Sequence, residues 1–224
     1  MIAIGMILGT IFIYFLMRKI NVRFTTPFLL PILTTTILII ILLSIFSFSY
    51  DSYMSGAKWI DTMLGPAVVS LAYPLYMQRG LIKKYKLTIL TSIIVAMFSG
   101  LVSIITFAKL LRMEHKLIHS LLPKSITTPV AMQISESIGG NPALTAVFVI
   151  IAGLTGALLG PLIFKIFRIE TPISRGVSIG SASHGFGVSK LTEYGEQTFS
   201  LGSVSMTISA VIGAFICPLI AMFI

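Results

Sequence analysis

Residues 143–164 read ALTAVFVIIAGLTGALLGPLIF and contain no charged side chain. An α-helix needs about 20 mainly apolar residues to cross the hydrocarbon core of a bilayer. This stretch of 22 residues therefore predicts a transmembrane helix. Other long apolar runs occur along the chain, without the alternation of apolar and polar residues that is typical of outer-membrane barrels. The sequence predicts an all-α integral membrane protein.

The composition supports this prediction. Of the 224 residues, 56% are hydrophobic and only 10% are charged, and the mean hydropathy is +1.01. Soluble domains carry about 25% charged residues, so this chain lacks the polar side chains that a water-facing surface requires. No segment between the apolar runs is long enough to fold alone. We therefore expect one transmembrane domain, residues 1–224, surrounded by the lipid bilayer.

We expect about seven to eight transmembrane segments, some of them discontinuous. Residues 49–59 and 78–86 are expected to be loops, and 125–142 is broken and short for a crossing. The breaks near Gly65 and His184 lie about half a chain apart, which suggests an inverted repeat as in many transporters. The expected spans are about 2–17, 27–48, 60–77, 87–108, 143–164, 172–194 and 199–224.

The excess of positive charge bears on topology. Sixteen Lys and Arg face seven Asp and Glu, for a net charge of +9. In a membrane protein such residues collect in cytoplasmic loops, so we expect no nucleic-acid partner. The basic segments 18–26 and 79–86 then place the N-terminus outside. The basic loop 165–175 is cytoplasmic only if 125–142 is re-entrant. We favour a re-entrant segment over a full crossing, although the basic stretch 109–124 then lies outside.

The stretch SITTPVAM, residues 125–132, predicts a helix start within the membrane. Thr128 can cap a helix, and Pro129 is tolerated in its first turn. A helix start carries partial positive charge and binds anions. Broken backbone in a membrane must be buried in protein or line a cavity. We therefore take Thr127, Thr128 and Pro129 as candidate anion-binding residues, the alternative being a packed proline kink.

The stretch SASHGFGVSK, residues 181–190, predicts a second break. Thr171 and Pro172 indicate the start of a half-helix that runs to about Ser183. Gly185 and Gly187 permit backbone angles that other residues resist, so a second half-helix can begin near Val188. The N–H groups of Gly187, Val188 and Ser189 would then point at the break. The candidate substrate-binding residues in this stretch are Ser181, Ser183, His184, Gly185, Gly187 and Ser189.

Two ionisable residues are candidates for proton coupling. Side chains of this kind are costly inside membranes and are taken as functional by default. Histidine titrates near neutral pH, so His184 could couple uptake to acidity. The alternative for His184 is an interhelical hydrogen bond. Glu136 is either a proton carrier or an interfacial residue, and we favour the interface.

Other reactive side chains give weaker evidence of a functional site. His115 and His119 have the spacing of zinc ligands, but no third ligand is evident, so we expect a solvated face and no metal. Ser181 and His184 lack an orienting carboxylate, so we expect no enzyme activity and no cofactor. Cys217 is the single cysteine and is expected to be a buried thiol.

Three stretches of this chain resemble a known family. LPKSITTPVAMQISESIGG at 122–140 and PISRGVSIGSASHGFGVSK at 172–190 are similar to the two hallmark stretches of the LrgB/CidB family. GPAVVSLAYPLY at 65–76 is similar to its third. The stretches match in order and spacing, and the resemblance covers nearly the whole chain.

The resemblance implies a location and partners. The family is named for antiholin- and holin-like proteins tied to murein hydrolase activity and bacterial cell lysis. It also includes the C-terminal half of a plastid glycolate/glycerate transporter, and bacterial members are linked to pyruvate uptake. The resemblance implies a single LrgB-like domain, multi-pass in the bacterial plasma membrane. It further implies a separate small LrgA/CidA-type membrane partner, and we consider a homo-oligomer.

Three functions are compatible with these features. We favour a transporter for small monocarboxylates of the pyruvate or glycolate kind, because broken helices with aligned hydroxyls suit a small carboxylate anion. The alternative is a holin- or antiholin-like protein that modulates murein hydrolase activity and cell lysis. A regulatory scaffold for the partner is the third.

Overall fold

A computed structural model describes residues 2–24, 29, 31–70 and 72–224. Within these residues the regular structure is helical, so the prediction of an all-α membrane protein is confirmed. The described chain divides into two compact units, Met1–Ala67 and Val68–Ile224. The single domain expected from the sequence stays a prediction.

The first unit is built on three helices, α1 (Ile2–Arg23), α2 (Pro31–Ile45) and α3 (Tyr50–Asp61). The Thr10 and Tyr53 hydroxyls lie 3.1 Å apart and join α1 to α3. The prediction of a loop at 49–59 is wrong. Ser49 starts a helix there, because its hydroxyl accepts the N–H of Ser52 at 3.2 Å and so caps α3.

The division between the units falls inside the sequence of helix α4 (Leu64–Ser70), after Ala67. The span expected at 60–77 therefore contains two short helices, and its residue 71 lies outside the described residues. The start of the span expected at 27–48 also lies outside them. The helices after α4 are α5 (Ala72–Met77), α6 (Arg79–Leu110), α7 (His115–Leu121), α8 (Thr128–Ser137), α9 (Pro142–Ile166), α10 (Pro172–Lys190) and α11 (Glu196–Ala221), with a 3-10 helix (Leu191–Tyr194) before α11.

Helix α6 corrects a second loop prediction. Residues 79–86 are helical, not a loop, and they form the start of α6. Tyr85 departs from helical geometry, with φ −117° and ψ 23°. Three of the basic residues at this end, Arg79, Lys83 and Lys84, precede the kink, and Lys86 follows it directly. The cluster of basic residues therefore lies around a kink within α6 and not in a loop before the helix.

Helix α10 lies at the centre of the second unit, in contact with α6, α9 and α11. Its side toward α11 is made of small residues. A Cβ added at Gly176 would lie 2.6 Å from the Leu201 Cβ, and one added at Gly180 would collide with the Gly202 carbonyl. These two glycines bring the backbones of α10 and α11 close together.

Four helices of the described chain are long and apolar enough to cross a membrane: Ala3–Arg23, Arg79–Leu110, Pro142–Ile166 and Glu196–Ala221. The chain is therefore multi-pass, as expected. The count of seven to eight segments, the inverted repeat and the sidedness stay predictions. Helix α8 has ten residues and so spans about 15 Å, half the thickness of the hydrocarbon core, and the re-entrant course of 125–142 stays a prediction.

Candidate functional site

Helix α10 begins as the sequence predicts. The Thr171 hydroxyl accepts the N–H of Ser174 at 3.2 Å, and Pro172 occupies the first turn. The start of α8 differs by one residue from its prediction. Thr127, not Thr128, is the N-cap, and its side chain makes no capping hydrogen bond.

The break in α10 falls on His184. Its backbone has φ 39° and ψ −143°, a positive φ that residues with side chains seldom adopt. Gly185 and Gly187 are both helical. The predicted position of the break, at the two glycines with a second half-helix from Val188, is therefore corrected. The helix breaks at the histidine and resumes at Gly185.

The His184 side chain links α10 to α9. It is 2% exposed, and its Nε2 lies 2.7 Å from the Val149 carbonyl oxygen. A carbonyl can only accept, so Nε2–H is the donor. Gly153 makes room for the ring, because a Cβ there would lie 2.7 Å from the His184 Cε1. The alternative interpretation, an interhelical hydrogen bond, is confirmed, and proton coupling stays a prediction.

Helix α9 presents a glycine face to the break. A Cβ at Gly156 would collide with the Ser183 side chain, and one at Gly160 would lie 2.7 Å from the Ile179 Cδ1. Gly153 belongs to the same face, because residues three and four apart share one side of a helix. This contribution was not predicted from the sequence, although the spacing of the three glycines was a visible signal.

A cavity of about 490 Å³, which we call the α9–α10 cavity, lies beside the break. Its polar lining comes from Lys124, Thr155, Ser178 and Ser183, and its remaining lining is apolar or glycine. Lys124 belongs to the connection between α7 and α8, outside the spanning helices. Burial lowers the pKa of its ammonium group below the ordinary value. This lysine was not among the site residues predicted from the sequence.

A second cavity, the α6–α10 groove, measures about 790 Å³ and opens on the other side of α10. Ser181 lies in it and donates to the Val177 carbonyl at 2.6 Å. Ser178 lines both cavities. The groove is lined with hydroxyls from both helices, Thr88, Thr91 and Ser92 of α6 and Ser174, Ser178 and Ser181 of α10, and with Arg168 and Glu170.

The structure brings together only part of the predicted set. Ser181, Ser183 and His184 are buried at the break, but Ser181 and Ser183 face different cavities. Ser189 is exposed and donates to the Phe186 carbonyl at 2.7 Å. Four other predicted residues lie in α8 or its cap and line neither cavity: Thr127, Thr128, Pro129 and the exposed Glu136.

The remaining reactive side chains lie elsewhere. The rings of His115 and His119 are 6.5 Å apart. Among the described residues, no group of three or more His, Cys, Asp or Glu side chains could hold a metal ion. Cys217 is buried, as predicted.

The family model described as the LrgB-like family matches residues 10–223. The chain belongs to this family. Uncharacterized protein YxaC of Bacillus subtilis is 51% identical over 98% of this chain and 95% of its own length. The holin-like protein CidB of Staphylococcus epidermidis is 37% identical, and that of Staphylococcus aureus is 34% identical. Each CidB match covers 97% of this chain and 95% of the relative.

No solved structure matches this LrgB-family chain. The family assignment confirms the resemblance of the hallmark stretches, and one of these holds the break in α10. Together with the four long apolar helices, it identifies a multi-pass bacterial membrane protein.

Proposed function

We propose that this LrgB-family chain is a holin-like protein of the bacterial membrane that modulates murein hydrolase activity and cell lysis. The observation that supports this proposal is its similarity to two proteins named holin-like protein CidB along 97% of the chain. The proposal includes a small LrgA/CidA-type membrane protein as the partner and contains no catalytic step.

A second candidate, a carrier for small monocarboxylates, is favoured by one specific observation. Helix α10 is broken at a buried histidine, and the residues just before the break line two cavities. Lys124 lines one of them without a carboxylate, and Arg168 lines the other together with Glu170. A carrier needs a polar site within the membrane that can be reached from each side, and discontinuous helices supply such sites in transporters. A pore formed by packed helices has no need of a strained residue at this position.

Within the carrier candidate, the predicted site residues keep their roles as proposals. Ser183 and Ser181 line the two cavities, His184 is the residue at the break, and Gly185, Gly187 and Ser189 belong to the second half of α10. His184 and Glu136 are the proposed proton-coupling residues. The start of α8, with Thr127, Thr128 and Pro129, is the other proposed contact for the anion.

Reconstitution into liposomes distinguishes the two candidates. A holin-like pore passes a neutral dye and pyruvate without saturation, in an order set by solute size. A carrier retains the dye, saturates with pyruvate and shows counterflow, because one site must reorient for each substrate. Counterflow with full dye retention would replace the holin-like proposal with the carrier.

Expression in a bacterium tests the role in lysis and the partner. We expect induction of the chain together with an LrgA/CidA-type protein to change the rate of autolysis and the murein hydrolase activity of the culture. Each protein induced alone is the control. Identical autolysis in all cultures, at equal membrane expression, would contradict the holin-like proposal.

A further inference from the structure

The α9–α10 cavity combines one cation with an apolar wall. Its charged lining residue is Lys124, and much of its wall consists of aliphatic side chains such as Ile151, Leu159 and Ile163. These three side chains are exposed, so the cavity is open along α9. Ser183 adds a hydroxyl next to the break in α10. The volume of about 490 Å³ lies within the range of about 300–1,000 Å³ that is common for small-molecule sites.

Lys124 is half-buried without a carboxylate partner. Within the described residues, the ion pair with an N–O distance below 4 Å is Lys190–Glu193, at a different place. The Lys124 Nζ lies 3.3 Å from the Ser125 hydroxyl, which is neutral. A cation removed from water costs free energy unless an anion compensates it, so this site favours an anionic ligand.

We propose that the α9–α10 cavity binds a soluble monocarboxylate with an apolar body, whose carboxylate pairs with the Lys124 ammonium group. The proposal rests on the carrier candidate and narrows its substrate class. A dicarboxylate would bury its second charge against aliphatic side chains, since the cavity offers one cation, and that burial is costly. A neutral ester would leave the lysine uncompensated. The branched chain of 4-methyl-2-oxopentanoate would contact the aliphatic wall, which pyruvate is too short to fill.

Equilibrium binding to the purified chain in phosphatidylcholine nanodiscs tests this assignment without requiring transport. The probe is labelled 4-methyl-2-oxopentanoate, and the competitors are pyruvate, succinate and the methyl ester of the probe. We expect the unlabelled acid to compete best, pyruvate less well, and succinate and the ester least. Equal competition by succinate or by the ester would overturn the proposal, and neither comparison depends on a variant.

Three variants locate the site. Lys124→Met removes the charge at similar length and should weaken binding by about tenfold or more, the worth of one charge-assisted hydrogen bond. Lys124→Arg should bind within a few-fold of the original chain. Lys116→Met is the matched control, because Lys116 is exposed on α7, and it should bind normally. Unchanged binding in a well-folded Lys124→Met protein would overturn the assignment, and Lys124→Gln replaces that variant if it misfolds.

An anionic lipid offers similar chemistry, so nanodiscs containing phosphatidylglycerol form a further arm. Continued binding of the acid in these nanodiscs supports the proposal. Loss of acid binding in these nanodiscs, together with retention of the lipid that depends on Lys124, would overturn the proposal and assign the cavity to lipid. Acid binding without flux in liposomes would leave this inference standing while the carrier candidate fails. Counterflow without Lys124-dependent binding would support the carrier candidate and overturn this inference.

Discussion

His184 is the residue at which α10 leaves helical geometry while its ring stays bonded to the neighbouring helix. A positive φ at a residue with a side chain costs free energy and persists only when its surroundings hold it. Here the hydrogen bond from Nε2–H to the Val149 carbonyl and the space left by Gly153 hold His184 in this conformation. The break is therefore a property of the α9–α10 pair and not of α10 alone.

For the carrier candidate, we predict that His184→Gln keeps the protein folded and leaves residual solute uptake with a flattened pH dependence. The glutamine amide can still donate to the Val149 carbonyl, but it cannot gain a proton. Uptake into liposomes across a series of external pH values measures this. A pH profile like that of the original chain, at equal reconstitution, would make His184 a packing residue.

Two serines of α11 have buried hydroxyls without a hydrogen-bond partner in the described residues, Ser205 and Ser209. An unsatisfied buried hydroxyl costs about 1–3 kcal/mol. We predict that Ser209→Ala leaves the free energy of unfolding unchanged or raises it by up to about 1 kcal/mol. Unfolding in mixed detergent micelles measures the change. A clear loss of stability would indicate that this hydroxyl has a partner such as water or an ion.

At the scale of elements, the two glycines after the break have different roles. A Cβ at Gly187 would lie 2.6 Å from the Ser183 Cβ and 2.7 Å from the Ile179 Cγ2. A Cβ at Gly185 would meet only the Met206 sulfur, at an ordinary 3.9 Å. From the sequence, both glycines were expected to provide backbone freedom at the break. The structure assigns Gly187 to close packing of the two halves of α10.

We therefore predict opposite results for a matched pair of alanine variants. Gly187→Ala should lower the unfolding free energy by about 1–3 kcal/mol, the usual cost of overpacking, and Gly185→Ala should change it by much less. Thermal stability in detergent measures both, with membrane expression as a check. Equal losses in the two variants would contradict the packing argument.

The elements also indicate how far the sequence could predict this site. Local signals were sufficient at Thr171 and Pro172, because a cap and its first turn depend on adjacent residues. They were insufficient for the exact position of the break, which depends on a hydrogen bond from His184 to a helix 35 residues earlier. Lys124 was missed because it was grouped with the interfacial basic residues, and only the packing of α9 and α10 places it at a cavity.

Across the whole molecule, hydropathy predicted the membrane class and the long helices, because burial in lipid demands long apolar runs. It failed at 49–59, where a serine cap starts α3, because composition is insensitive to a single hydrogen bond. It also failed at 79–86, because helices can carry cations beyond the apolar core. The sidedness depends on the sum of weak charge preferences, so it needs a direct test.

We predict that 79–86 and 165–175 face the cytoplasm and that the N-terminus is outside. Single cysteines in place of Lys84 and Arg168, in a Cys217→Ser background, should both resist an impermeant thiol reagent added to intact cells. Labelling after permeabilisation is the control for reactivity. Labelling of the cysteine at 168 alone in intact cells would indicate that the segment around α8 crosses the membrane fully.

The kink at Tyr85 has a consequence for the bilayer that surrounds this protein. Residues 86–110, which follow the kink, form about 37 Å of helix, against a hydrocarbon core of about 30 Å. Tilt is one way to accommodate the excess length, and the kink lets the basic first turns stay among the lipid headgroups while the apolar part leans. Hydrophobic mismatch in a thinner membrane would then be absorbed by rotation at this joint, without exposing apolar side chains to water.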